Sequence, residues 1–200
     1  FHAMPELSLQ EYKTCAKIIE ELGKIGITGE VIADTGVIAV IKGGKPGKRV
    51  ALRADIDALG VTEQTGAEYA SRHPGVMHAC GHDAHIAMLL GAARILYDIK
   101  DELAGEVRLM FEPAEEIAKG AKKMIAAGAM DGVDSVFGMH VWSDIPAGKI
   151  SVDEGSRMAS AGFFTIEIEG KSCHGSKPNQ GVDAIVAGAA LVTNLQTIVS

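Results

Sequence analysis

The chain has 200 residues, of which 47% are hydrophobic and only 4% aromatic, so it is long enough for a packed and mostly aliphatic core. Its net charge is −7, from 19 basic and 26 acidic residues, and the basic residues form no run or patch. This composition argues against nucleic acids and anionic membranes as partners, and no apolar run is long enough to span a membrane.

The first part of the chain predicts a helix followed by two strands. Ser8-Leu9-Gln10-Glu11 has the spacing of a capping box, and apolar residues at helical intervals follow it. Residues 31–41 and 49–54 are strand-like and are separated by a turn rich in glycine and lysine. The second strand ends in Asp55-Ile56-Asp57, which places two carboxylates on one face. These acids are either a solvated loop pair or part of a site at the carboxyl end of a sheet strand.

A dense cluster of metal-binding residue types follows, His78-Ala79-Cys80-Gly81-His82-Asp83-Ala84-His85. In an extended loop alternate side chains face one way, so His78, Cys80 and His82 share a side. A thiolate and an imidazole that converge in this way suit zinc-like metals. Asp83 is predicted to cap a helix that runs to about Tyr97. His85 falls on the first turn of that helix and is expected to be structural.

The next strand also ends in acidic residues. Residues 106–111 form a β-rich segment that leads into Glu112-Pro113-Ala114-Glu115-Glu116, and a helix is predicted over 117–127. Neighbouring side chains diverge, so one of the last two glutamates could bind a metal while the other faces a water molecule. A solvated pair of glutamates is the alternative.

A third strand, residues 135–141, carries His140 near its end. Three successive strands therefore end in candidate ligands. Ligands scattered over separate segments are typical of an α/β metalloenzyme, whereas a zinc finger shows short local spacing. The candidate set is Asp57, Cys80, His82, Glu115, Glu116 and His140.

The last 50 or so residues predict a second, smaller module. Strands are expected at 149–152 and 163–169, a loop carries Cys173 and His174, and a helix covers 182–199. These elements are too few to bury a core of their own, so the module is expected to be incomplete. The three cysteines of the chain are too far apart for a disulfide framework and favour a reducing cytoplasm.

Four segments of the chain together resemble the amidohydrolase branch of peptidase family M20. They are His78-Ala-Cys-Gly-His-Asp-Ala-His85, Phe111-Glu-Pro-Ala-Glu-Glu116, Gly138-Met-His140 and Gly170-Lys-Ser-Cys-His174. The resemblance covers essentially all 200 residues, and the order and spacing of the motifs make it specific for the family. That branch includes N-acyl-amino-acid amidohydrolases, hippurate hydrolases and auxin-conjugate hydrolases.

The resemblance implies an α/β catalytic domain with a mixed central sheet, similar to that of metallo-aminopeptidases, and a site for two divalent ions, Zn²⁺ or Mn²⁺. Residues 1–156 would be the N-terminal part of this domain. Residues 157–200 would begin an inserted ferredoxin-like lid, which often forms a homodimer. Motif matching implies four metal ligands, Cys80, His82, Glu116 and His140.

The same match implies three further roles. Glu115 would be the general base that activates a water, Asp57 would orient the site, and His174 would contact the substrate or its oxyanion. The implied reaction splits the amide of an N-acyl amino acid, such as an N-acetyl or benzoyl derivative, into a carboxylic acid and an amino acid. Asp55 stands where other branches of the family carry a histidine.

Three alternatives stay open at this point. One is a di- or carboxypeptidase of the same fold, another is a non-catalytic metal-binding homologue, and the third is a structural zinc module built on Cys80 and His82 alone. The family also draws a metal-ligating histidine from a segment after the lid, and the sequence ends before it. We therefore expect the chain to be a fragment of a protein roughly twice as long.

Overall fold

The computed structural model describes residues 1–160, 162 and 164–199. The chain divides into two compact units, Phe1–Lys149 and Ile150–Ser200. The predicted domain boundary lay slightly later, after Ser156. Each unit is described separately below.

The first unit is built on a five-stranded mixed sheet, which confirms the predicted α/β class. The strand order is β1-β2-β4-β3-β5; β1 pairs with β2 and β2 with β4 antiparallel, whereas β3 pairs with both β4 and β5 parallel. The strands are β1 Gly29–Ile32, β2 Gly36–Lys42, β3 Lys45–Asp55, β4 Ala104–Glu112 and β5 Ser135–Gly138.

The prediction of one strand over residues 31–41 is wrong, because this stretch turns back on itself. It contains the end of β1, a tight turn and most of β2, which pair as an antiparallel hairpin. Ala33 and Asp34 adopt φ values of 52° and 72° in the turn. Positive φ at two successive residues matches the twist of a β-hairpin. Apolar residues lie on both sides of this turn, which is why the stretch resembles one strand.

Two helices, α1 Tyr12–Ile25 and α2 His82–Asp98, belong to the main core of this unit, which also contains sheet residues. Buried residues recur at helical spacing on α1, at Cys15, Ile18 and Leu22. Fully buried strand side chains include Leu109 and Phe111, and each such burial contributes roughly 1.5–3 kcal/mol. A smaller cluster contains Met124 of a third helix, α3 Gly120–Ala126.

The capping-box interpretation of Ser8-Leu9-Gln10-Glu11 is also wrong. Helix α1 begins at Tyr12, and Glu11 at the N-cap position makes no capping hydrogen bond; the first-turn N–H of Thr14 donates to Glu6 Oε2 at 2.7 Å. Instead the Ser8 hydroxyl donates to Asp57 and the Glu11 carboxylate accepts from Thr35 and Ala114. The two residues that define the motif, Ser8 and Glu11, therefore contact distant segments instead of capping the helix.

The other two helices of this unit begin at positions different from those predicted. Gly81, with φ 83°, is the N-cap of α2, and Asp83 lies inside the first turn, where its carboxylate pairs with His2. Helix α3 begins at Gly120 rather than at Ile117, because residues 113–119 form a compact turn. The start of α2 thus differs little from the prediction. The later start of α3 leaves Glu115 and Glu116 in the turn before the helix.

Strands β3, β4 and β5 run parallel, so their carboxyl ends lie at one edge of the sheet. Asp55 is in register with Glu112, and Arg53 with Gly138. The segments that follow these strands carry Asp57, the Glu115–Glu116 pair and His140. The sheet therefore brings together the strand ends from which the sequence predicted a site.

The second unit has one α-helix among its described residues, α4 Ala184–Leu195, followed by the 3₁₀ turn Gln196–Ile198. The Asp183 carboxylate caps α4, and the helix buries none of its side chains. The strands predicted at 149–152 and 163–169 are not present in the described part of this unit, and Phe163 lies outside it. No helix among the described residues of either unit has the length and hydropathy needed to cross a membrane.

Candidate metal centre

His82 is the residue around which the candidate centre is arranged. Its ring is completely buried, and its Nδ1 lies 2.9 Å from the Asp57 carbonyl oxygen, to which it donates. This leaves Nε2 as the acceptor atom of the ring, 3.6 Å from both Asp55 Oδ2 and Glu116 Oε1 and 3.9 Å from Glu115 Oε2. The first turn of α2 thus directs His82 Nε2 at three carboxylates. Burial acts to lower the pKa of His82, but Asp57, Asp55 and Glu116 outweigh it and raise that pKa, so the pocket favours a positive charge at this position.

Cys80 and His140 lie next to each other on the same side of the site, with 3.4 Å between Sγ and Nε2. His140 Nδ1 lies 2.6 Å from the Val141 carbonyl oxygen, so Nε2 is the nitrogen that faces the thiol. Burial, together with the charge of Glu116, raises the pKa of Cys80 to about 12. A thiol in such surroundings becomes a thiolate only beside a cation.

Asp57 fixes the backbone that carries the two glutamates. Its two carboxylate oxygens accept from the backbone N–H groups of Glu115 and Glu116, each at 3.1 Å, and from the Ser8 hydroxyl at 2.6 Å. Burial acts to raise the pKa of Asp57, but the hydrogen bonds from His82, Ser8 and the Glu116 amide outweigh it and lower the pKa. Asp57 is therefore a charged acceptor with its oxygens already in use.

The residues present fit divalent cations. Ligand atoms converge within 4.8 Å of one another in three overlapping groups, Cys80 with His82 and His140, His82 with Glu115 and Glu116, and Asp55 with His82 and His85. His82 Nε2 and Glu116 Oε1 are both buried and have no hydrogen-bond partner. An unsatisfied buried polar atom costs roughly 1–3 kcal/mol, and a cation between these two atoms would remove both penalties.

The charges in the site also favour a cation. Burial and the nearby carboxylates of Asp55 and Glu116 raise the pKa of Glu115. The donor set of thiolate, imidazole and carboxylate suits zinc and manganese. The side chain of Glu115 is 40% exposed, whereas that of Glu116 is 18% exposed, so the two glutamates differ in their access to solvent.

The sequence predicted a structural role for His85, and the structure places this residue beside the candidate centre with both ring nitrogens engaged. His85 is buried, its Nδ1 lies 2.5 Å from Asp55 Oδ1, and its Nε2 accepts from the Val141 N–H at 2.9 Å. Asp55 in turn accepts from Arg53 at 2.6 Å. The signal was the three-residue spacing from His82, which puts both histidines on one face of α2.

Two other predicted candidates lie outside these groups. His78 is buried, and this burial lowers its pKa to about 4. Neither of its ring nitrogens has a hydrogen-bond partner among the described residues. His174 lies in the second unit, where it is exposed and its Nδ1 is 2.9 Å from the Ser176 hydroxyl. The role predicted for His174 stays a prediction.

Comparison with known proteins gives one consistent family. Residues 51–198 match the family model described as Peptidase family M20/M25/M40. The chain is 50% identical over its whole length to an N-acyl-L-amino acid amidohydrolase of Geobacillus stearothermophilus, covering 54% of that protein. It is 50% identical over 188 residues to thermostable carboxypeptidase 1 of Saccharolobus solfataricus, covering 92% of this chain and 48% of the relative.

A solved structure agrees with this match. It is a Bacillus subtilis protein described as a dinuclear metal binding peptidase from the M20 family, with a TM-score of 0.75 and 49% identity. The alignment covers 77% of this chain and 44% of that one. The chain thus spans about half the length of the curated relatives that it matches.

Proposed function

Because the chain belongs to peptidase family M20/M25/M40, we propose that its protein is a metal-dependent amidohydrolase that releases amino acids from their N-acyl derivatives. One observation carries the proposal. Two buried ligand atoms without hydrogen-bond partners, His82 Nε2 and Glu116 Oε1, face each other at 3.6 Å, beside the more exposed carboxylate of Glu115. A purely structural metal site needs no such carboxylate.

We propose that two divalent ions, Zn²⁺ or Mn²⁺, bind here through four side chains, those of Cys80, His82, Glu116 and His140. Support comes from the overlap of the ligand groups at His82 and from the solved relative that is described as dinuclear. When bound, such ions lower the pKa of a water molecule and polarise a carbonyl oxygen. Asp57 holds the backbone of Glu115 and Glu116 in place during the reaction, because its carboxylate accepts hydrogen bonds from both N–H groups.

Glu115 is the proposed general base. Its carboxylate removes a proton from the attacking water, whose oxygen forms a bond to the amide carbon. The C–N bond then breaks, and Glu115 returns the proton to the departing amine nitrogen. The products are a carboxylate and a free amino acid, so a single carboxylate carries the proton through both steps.

Replacing Glu115 by Gln tests this assignment. We expect kcat on N-acetyl amino acids or hippurate to fall by on the order of 10²–10⁴-fold, because Gln cannot accept the proton, while the metal content is retained. Steady-state kinetics and elemental analysis measure the two quantities. Glu68→Gln, at an exposed position, is the control and keeps wild-type turnover. Full turnover in Glu115→Gln would show that the base is another group.

A carboxypeptidase is the second candidate, because a relative with that name is as similar in sequence as the amidohydrolase. A panel of N-acyl amino acids and dipeptides separates the two activities. Preferential turnover of dipeptides by the wild-type protein would favour the carboxypeptidase.

We further propose that the second unit belongs to a lid that also forms a homodimer, with His174 hydrogen-bonding the oxyanion of the substrate. The support is the motif around His174 and a helix, α4, on which Ile185, Val186 and Val192 are exposed. The widely spaced free cysteines support a cytoplasmic protein. Light scattering on the protein as its gene encodes it tests the assembly, and a monomer at micromolar concentration would count against the dimer.

A further inference from the structure

Glu11 is a buried carboxylate that the proposed chemistry does not use. It is 0% exposed, and its oxygens accept from two sequence-distant segments. Oε1 accepts from the Ala114 N–H at 2.8 Å, and Oε2 accepts from the Thr35 hydroxyl at 2.6 Å. A carboxylate is buried at this depth only when donors compensate its lost hydration, so these contacts define the place of Glu11.

The Ala114 contact lies in the turn that presents the two glutamates. Ala114 and Ala118 flank the pair and adopt φ values of 52° and 53°, in the left-handed region that alanine rarely occupies. Such a backbone persists only where its surroundings impose it. The turn therefore needs an external support to hold the directions of Glu115 and Glu116.

That support comes from two carboxylates that bind three consecutive amides. The N–H of Ala114 donates to Glu11 Oε1, that of Glu115 to Asp57 Oδ1 and that of Glu116 to Asp57 Oδ2. Ser8 donates to Asp57 in turn. Thus two polar residues of the segment before α1 act on this one turn, Ser8 through Asp57 and Glu11 directly.

We infer that Glu11 is a positioning residue, whose acceptor oxygen fixes the Ala114 amide and thereby aims the carboxylates of Glu115 and Glu116. The inference rests on the proposed function in one respect, that these glutamates serve as base and metal ligand. Without Glu11 the Ala114 N–H loses its acceptor, and the turn can relax away from its left-handed conformation. The base and the ligand would then be displaced together.

Three variants of the protein as its gene encodes it test the role. Glu11→Met fills the space without an acceptor, and we expect kcat on an N-acetyl amino acid to fall by on the order of 10²-fold, with KM changed by less than about threefold. Glu11→Gln keeps an acceptor for Ala114, and its kcat stays within about threefold of wild type because only acceptor geometry is needed. Thr35→Val removes only the other contact, and its kcat is also kept.

Cobalt(II) titration of the metal-free protein, followed by its visible absorption, provides a readout that is independent of turnover. Glu11→Met is expected to bind the ion about 10–100-fold more weakly than wild type, and Glu11→Gln normally. If Glu11→Met does not fold, Glu11→Asp is used instead, because its side chain is one methylene shorter and moves the acceptor away from Ala114. We expect the same losses of kcat and of cobalt affinity in this variant. Measurements are made below the unfolding temperature of each variant.

Wild-type kcat and cobalt affinity in the folded Glu11→Met variant would overturn the inference. So would an equal loss in Thr35→Val or in Glu11→Gln, since general packing or charge would then be responsible. If wild type binds cobalt but hydrolyses no N-acyl amino acid, the proposed function fails. In that event the cobalt titration alone decides the role of Glu11.

Discussion

At the scale of single residues, hydrogen bonds select which atoms of the site remain free. The Asp57 carbonyl engages His82 Nδ1, and the Val141 carbonyl engages His140 Nδ1. Each imidazole therefore presents its Nε2 atom to the centre, in the tautomer that a metal requires. Asp57 differs from the two histidines, because both of its carboxylate oxygens already accept hydrogen bonds from N–H and O–H groups.

His2 gives a pH-dependent contribution to stability. Burial acts to lower its pKa, but Glu63 and Asp83, at 3.2 and 2.8 Å, outweigh burial and raise it above the ordinary value of 6.5. Protonated His2 therefore stabilises the fold fully below pH 6.5, and this contribution is lost as the pH rises through the raised pKa of the folded state.

We therefore expect His2→Gln to lower the melting temperature of the metal-free protein more at about pH 6 than at about pH 9. Thermal unfolding of wild type and variant at both pH values measures this, and the difference between the two proteins cancels the titration of other groups. An equal loss at both pH values would mean that His2 contributes through packing rather than charge.

At the scale of elements, Gly81 lets the loop that carries Cys80 and His82 pack closely against Val141, in the segment after β5. Gly81 has φ 83°, and a Cβ at this position would overlap the Val141 side chain. Gly66 has φ 67° but open space around it. Substituting the two glycines separates two effects. Backbone strain is common to both positions, whereas the close contact with Val141 is made only at Gly81.

Gly81→Ala and Gly66→Ala should each lose about 1–2 kcal/mol of unfolding free energy from the left-handed backbone. Gly81→Ala should lose more, and its zinc affinity should fall by about 10–100-fold, because Val141 and the neighbouring His140 are displaced. Urea unfolding and zinc titration against a competing chelator measure the two effects. Equal stability and equal zinc affinity in the two variants would contradict the proposed link.

The sequence predicted the ends of β3 and β4 well, because ligand types there coincide with the ends of β-rich segments and parallel strands share an edge. The third strand was predicted to run to residue 141, but β5 ends at Gly138, so His140 lies in the segment after it. The sequence could not predict the roles of Ser8 and Glu11, since a capping box and two long-range contacts have the same local spacing. The β1–β2 turn was missed although Asp34-Thr35-Gly36 interrupts the apolar run, because apolar residues flank this short break on both sides. The sequence predicted a structural His85 but could not predict its partners, Asp55 and Val141, because they come from distant segments.

At the scale of the molecule, we expect metal binding to stabilise the fold. The first unit holds the carboxylates of Asp55, Asp57, Glu115 and Glu116 around one imidazole, which is costly without a cation. An ion that binds only the folded state at a concentration of about 100 times its Kd adds about 2.7 kcal/mol of stability per site. We therefore expect chelation to lower the unfolding free energy as well as to stop the proposed reaction.

The most direct test of the central claim is metal-dependent turnover in the protein as its gene encodes it. We expect the chelator-treated protein to be inactive on N-acetyl amino acids, and about two equivalents of Zn²⁺ or Mn²⁺ per chain to restore hydrolysis. Glu116→Ala is expected to bind less metal and to stay inactive. Turnover that persists without metal, or metal binding that does not depend on Glu116, would contradict the account.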